Sequence, residues 1–175
     1  FAVIGWQSGQ EWLVVLALVI AAAYAAFLPW NILGAGMFLG DVGSYLLGSL
    51  IGAVVVAGIV SGIPVGVMLS PLALYLADTL TVLARRMIRR EPILEAHRTH
   101  SYQRLTNTGF SHRAVALAVG LLSATTGFFG WLYLRGSWPG WLAATATALV
   151  CVAYVGLPHA LGDRLPTRPA VPPVV

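Results

Sequence analysis

Val42–Ala77 reads VGSYLLGSLIGAVVVAGIVSGIPVGVMLSPLALYLA, 36 residues without a charged side chain, framed by Asp41 and Asp78. A membrane-crossing helix needs about 20 mostly apolar residues, so this stretch is long enough for two. Ser61-Gly62-Ile63-Pro64 breaks it, because Gly and Pro interrupt helices. The pattern predicts two spans, near 43–60 and 64–84, joined by a tight turn. Upstream, the apolar run Trp12 to Leu28 predicts a first span that stops at Pro29-Trp30-Asn31. Downstream, Ala114 to Leu134 and Trp141 to Leu157 predict a fourth and a fifth. None shows two-residue alternation, so the expected fold is an all-α transmembrane bundle rather than a barrel.

Composition agrees. Hydrophobic residues make up 58% of the 175 and charged residues 9%, whereas soluble domains carry about 25% charged residues. So few charges cannot cover a water-soluble globule, which excludes a soluble enzyme and a disordered chain. The single cysteine, Cys151, excludes an intrachain disulfide. All ten basic residues are arginine, and their placement argues for a membrane and against nucleic acid. Arg85, Arg86, Arg89, Arg90, Arg98, Arg104 and Arg113 fall in 85–113, and Arg164 and Arg168 in the tail; only Arg135 lies on the opposite side. By the positive-inside rule, 85–113, 30–42 and the tail are cytoplasmic and the N-terminus is outside. Trp12, Trp30, Trp131, Trp138 and Trp141 stand near span ends, as an aromatic belt requires. Residues 1–162 read as the membrane domain and 163–175 as a proline-rich cytoplasmic tail. Five spans beginning at Phe1 lead to the expectation of a C-terminal portion of a larger polytopic protein.

Three polar features exceed what an inert bundle needs. Asp41 lies between Gly40 and Gly43, on an expected loop at the cytoplasmic end of span two. A carboxylate there suits Mg²⁺, which binds through one or two carboxylates plus substrate phosphates; equally, it could cap the following helix, helped by Ser44. Asp78 lies about two turns inside the cytoplasmic end of span three. Burying a carboxylate in hydrocarbon costs roughly 2.5–3.5 kcal/mol on insertion scales, so it calls for a structural or a functional explanation. Arg85, seven residues on, shares its helix face. The third feature is the loop Glu91–His112, with His97, Arg98 and His100 within four residues. His-x-x-His can suggest zinc, but no cysteine or third ligand accompanies it. Arginine forks beside histidines suit phosphate instead, although a basic loop also attracts anionic lipid. All three features belong to one membrane face, where phosphoryl transfer would rest on positioning and charge neutralisation.

The stretch F-L-G-D-V-G-S-Y-L-L-G (38–48) resembles the signature of the polyprenyl-phosphate N-acetylhexosamine-1-phosphate transferases. D-T-L-T-V-L-A-R-R (78–86), A-H-R-T-H-S-Y-Q-R-L (96–105) and G-F-S-H (109–112) resemble the same family in the same order. Tyr102 and Gln103 stand where many relatives carry further histidines, which resembles the branch that primes O-antigen and other surface polysaccharides. The resemblance implies transfer of a sugar-1-phosphate from a UDP-N-acetylhexosamine to undecaprenyl phosphate, with release of UMP. It implies a multi-pass protein of the bacterial inner membrane, with Mg²⁺ (or Mn²⁺) in a cytoplasmic cleft; a homodimer is compatible. It places metal and diphosphate binding on Asp41. Catalytic contacts fall on Asp41 and His100, and phosphate or substrate binding on His97, Arg98, Arg85, Arg86 and Asp78, with Asp78 organising the site. His112 and Arg104 carry weaker expectations, and His159 is expected at a membrane interface. The family's paired aspartates are absent from this sequence and its members have ten or eleven spans, so the segment resembles a C-terminal half. Direct attack by the lipid phosphate and a covalent aspartyl intermediate both remain open. The competing class is a non-enzymatic transporter segment or assembly scaffold, which the collection of polar residues at one face disfavours.

Overall fold

A computed structural model describes residues 1–32, 37–91 and 100–162, and all regular structure among them is helical. A short helix α1 (Ala2–Gln7) precedes the long α2 (Glu11–Ile32). Next come α3 (Gly40–Val60), α4 (Val65–Leu69), a single 3₁₀ turn (Ser70–Leu72) and α5 (Ala73–Ile88). A short helix α6 (Ser101–Asn107) lies in the arginine-rich loop, followed by α7 (His112–Leu134) and α8 (Gly140–Ala160). Five helical stretches are long and apolar enough to cross a membrane, counting Val65–Ile88 as one. Large apolar side chains such as Val19, Val56, Leu117, Leu121 and Val152 point outward, as lipid-facing residues do.

Short connections join the spans except between α5 and α7, where the longer segment carrying α6 intervenes. The Ser61–Pro64 break forms the expected turn: Gly62 takes a φ of 90° and Ile63 N–H donates to Gly58 O at 3.1 Å. At the opposite end, the Arg113 guanidinium donates to Ile32 O at 2.9 Å, tying the start of α7 to the end of α2. A cation suits that position because the last carbonyls of a helix have no partner within it. The same contact explains why α2 does not stop at Pro29 as the sequence suggested. Proline removes one hydrogen bond near a helix end, while Arg113 and Asn31, whose Nδ2 donates to Met37 O at 3.0 Å, support the last turn.

Span three is the centre of the bundle. A third of its apolar window (33%) is buried within the chain, against 6% for α2. It is also broken, which the sequence reading did not anticipate. Pro71 has no N–H to offer Val67 O, four residues back. Ser70 Oγ donates to that carbonyl at 2.8 Å, so the freed group is satisfied away from water. The irregular turn packs on α7 where Gly127 and Gly130 leave room, Gly130 lying directly against Ser70.

Two apolar clusters result. Ile4, Leu13, Val54, Val55, Ile63, Val67 and Met68 fill the end nearer α1. Leu74, Leu105, Val115 and Tyr154 fill the other, so α6 packs on α5, α7 and α8 together. Replacing Gly130 with valine should overpack the break at a cost of about 1–3 kcal/mol. The expected result is a lower unfolding midpoint in detergent. Gly120→Val, on the same helix with open space around it, should leave the midpoint nearly unchanged.

Candidate functional site

The site is built where the end of α5 meets the start of α6. Asp78 is 5% exposed. Its Oδ1 accepts from Ser101 N–H at 2.9 Å and from Ser101 Oγ at 2.8 Å. Its Oδ2 faces His100 Nδ1 at 3.2 Å. Ser101 is the first residue of α6 and His100 its N-cap, with extended backbone (φ −66°, ψ 147°). The carboxylate therefore sits at the open N-terminus of a helix, where N–H groups lack partners and the dipole favours negative charge. Gln103 Oε1 returns to His100 N–H at 3.4 Å, and the His100 and Tyr102 rings stack with centroids 5.9 Å apart.

A second clamp holds α6 from α8. Arg104 is 1% exposed, and its Nη1 lies 3.2 Å from His159 Nε2. Pairing at 55 residues' separation leaves no trace in motif spacing. Sequence reading ranked Arg104 low and put His159 at the membrane interface; the fold adds that His159, exposed in the last turn of α8, pairs with Arg104 of the loop helix. Tyr154, one turn deeper on α8, reaches the backbone of Tyr102.

The arginines of α5 divide. Arg86 is buried, with 7% exposure. Arg85 is partly exposed, but its Nη1 is buried and has no hydrogen-bond partner among the described residues. Beside it runs a groove of about 390 Å³ lined by Thr81, Ala84, Arg85, Ile88 and Arg89. A buried cationic donor left without an acceptor fits an anion arriving from outside the chain.

Asp41 departs from expectation. It lies in the first turn of α3 rather than on a loop, and it is exposed. It does not cap the helix: the N-cap position is Leu39, and Ser44 Oγ donates to Gly40 O at 2.8 Å instead. Gly40 supplies the turn, with a φ of 68° that a side chain would strain. Asp41 stands at the same end of the bundle as the α5–α6 site but makes no hydrogen bond or ion pair with it among the described residues. His97 and Arg98 lie outside the described residues, as does the tail 163–175. No three His, Cys, Asp or Glu side chains among the described residues converge to hold a metal. Both Asp78 oxygens are engaged, so among the described carboxylates at this end Asp41 and Glu91 are the ones open to a hard cation, and Glu91 lies 4.0 Å from the Arg89 guanidinium.

The fold and site define a polytopic helical membrane protein with a cluster of arginine, histidine and aspartate side chains at one end of the bundle. Residues 1–59 match the family model described as glycosyl transferase family 4. The chain is 29% identical over 124 residues to the probable undecaprenyl-phosphate N-acetylglucosaminyl 1-phosphate transferase of Bacillus subtilis, covering 69% of this chain and 35% of that protein. It is 33% identical over 162 residues to the decaprenyl-phosphate N-acetylglucosaminephosphotransferase of Mycolicibacterium smegmatis, covering 81% and 38%. A shorter match, 37% over 51 residues, reaches the phospho-N-acetylmuramoyl-pentapeptide-transferase of Enterococcus faecalis, covering 29% and 16%. No solved structure matches. The chain belongs to the polyprenyl-phosphate hexosamine-1-phosphate transferase family, and it spans little more than a third of the length of the first two relatives.

The Asp78–Ser101 contact has a direct consequence. Hydrogen bonds to charged groups contribute about 1.5–3 kcal/mol. Ser101→Ala removes one of the two donors to Oδ1 and should speed amide hydrogen exchange in α6 by roughly tenfold, as expected from about 1.4 kcal/mol. Exchange in the middle of α7 should stay unchanged.

Proposed function

We propose that this chain forms part of an enzyme that transfers N-acetylhexosamine-1-phosphate from a UDP-sugar to undecaprenyl phosphate. UMP leaves, and a lipid-linked surface glycan such as an O-antigen is started. The relatives' names favour N-acetylglucosamine as the sugar. The reaction takes place at the cytoplasmic face of the bacterial inner membrane, the face to which six described arginines belong.

The observation that carries this reading is the buried Arg85 nitrogen without a hydrogen-bond partner among the described residues, on the same helix as the Asp78 that holds His100. Guanidinium and imidazole N–H groups are donors suited to phosphate oxygens. Arg85 would hold the acceptor phosphate. His100, with His97 and Arg98 from the same loop, would bind the diphosphate and nucleotide. Asp41 would supply one ligand to Mg²⁺ (or Mn²⁺), with diphosphate oxygens and water completing the shell. Such an ion, when bound, neutralises the diphosphate and eases departure of UMP. In the direct route the oxygen of the lipid phosphate forms the new bond to the sugar's phosphorus as the bond to UMP breaks; in the two-step route an aspartate carboxylate displaces UMP first, and the lipid phosphate then displaces that carboxylate.

Asp41→Asn in the intact protein, assayed in native membranes, tests the assignment. UMP release from UDP-N-acetylglucosamine and undecaprenyl phosphate should fall by at least about 100-fold, the range typical of losing an electrostatic contact to the transition state. The residual rate should lose its dependence on added Mg²⁺. Wild-type rates in the variant would remove Asp41 from the metal site.

A further inference from the structure

The contacts of Asp78 go beyond holding a helix in place. Oδ1 serves Ser101, whose backbone N–H can only donate. Oδ2 is left for His100 Nδ1, at 3.2 Å. An ionised carboxylate can only accept, so Nδ1 must carry the proton. One neighbour competes for that nitrogen. His100 and Gln103 are arranged as a capping box, which would use a ring nitrogen as acceptor for the Gln103 backbone N–H. Both halves of the box are in place although no side-chain cap hydrogen bond forms at His100, and a charge-assisted bond to the carboxylate is about twice as strong as a neutral one. The carboxylate wins.

We propose that Asp78 is a positioning residue that fixes His100 with its proton on Nδ1. Nε2 is then the basic nitrogen of the neutral ring, or a second donor when the ring is charged. Which nitrogen of a histidine is protonated is set by the bond the other makes. The arrangement places an acidic residue of a membrane span behind a histidine of a water-facing loop. It also explains why a carboxylate, rather than a neutral acceptor, is buried here. A neutral amide would satisfy Ser101 equally well, but it could not hold the His100 proton on Nδ1. The consequence for turnover rests on the reading of His100 as a phosphate or nucleotide contact; the tautomer itself does not.

Asp78→Asn separates positioning from architecture. Ser101 keeps its acceptor only if the amide oxygen takes the Oδ1 position. The amide NH₂ then faces His100 and donates, forcing Nδ1 to accept and the proton onto Nε2. The experiment is ¹⁵N spectroscopy of histidine-labelled intact protein in lipid nanodiscs, with the His100 signals assigned by their loss in His100→Gln. Wild type should show a protonated Nδ1. Asp78→Asn should show a protonated Nε2, while hydrogen exchange of α6 stays within about threefold of wild type, because the Ser101 bonds survive. In Ser101→Ala, Nδ1 should remain protonated although α6 exchanges faster. Turnover by Asp78→Asn should lose at least about 100-fold in kcat, the scale of a general acid–base or donor contact, with KM changed only a few-fold.

A bare Nδ1 in the wild type, or an unchanged tautomer in Asp78→Asn, would overturn the proposal. So would a flipped tautomer with full turnover, provided that His100→Gln itself is inactive. If His100→Gln retains wild-type turnover, the role of His100 in the proposed function fails instead, and the spectroscopy alone still decides whether Asp78 positions the ring.

Discussion

A carboxylate buried near the end of an apolar membrane span has to be satisfied, and the loop helix α6 is what satisfies it. Asp78 draws both donors of Ser101 and the His100 ring onto α5. The alternative, an ionised group in low dielectric without partners, costs several kcal/mol. The short α6, seven residues long, is marginal by itself. It stands because its N-terminus meets a negative charge, because Leu105 inserts between Leu74, Val115 and Tyr154, and because Arg104 is held against His159.

That docking depends in turn on where α5 lies. Pro71 breaks the third span, and the break packs into the space left by Gly127 and Gly130 of α7. Ser70 keeps the freed Val67 carbonyl satisfied. The half-span beyond the break then carries Leu74, Asp78 and Arg86 on its buried side, and Arg85 and Arg89 along the groove beside it. One face of α5 holds the loop in place, and the neighbouring face sets Arg85 and Arg89 along the groove. The division of Arg85 from Arg86, adjacent in sequence, follows from the 100° step between successive helical residues.

Phosphoryl transfer asks a protein for little covalent chemistry and much fixed charge. An arginine-rich loop on long unanchored side chains would provide charge but no geometry. The α5–α6–α8 junction converts part of that charge into placed donors, with the aspartate and two histidines acting on ring orientation and loop position. Asp41 stands apart from this junction on the first turn of α3, exposed.

The number and order of the spans were legible in the sequence, because apolar run length responds to the bilayer rather than to neighbouring helices. The 61–64 turn was legible for the same local reason. The motif at 38–48 identified the family, but it suggested a loop for Asp41 where the chain has a helix, since glycines on both sides permit either conformation. The continuation of α2 past Pro29 needed Arg113, 81 residues away in the hydrogen bond to Ile32. The pairing of Arg104 with His159 and of Asp78 with His100 and Ser101 likewise joins residues with no local periodicity between them. Sequence by itself determined what lies in the membrane and which end is charged. Only the tertiary structure decided which of those charges are buried against each other and which face outward, because burial is set by packing between helices distant in the chain.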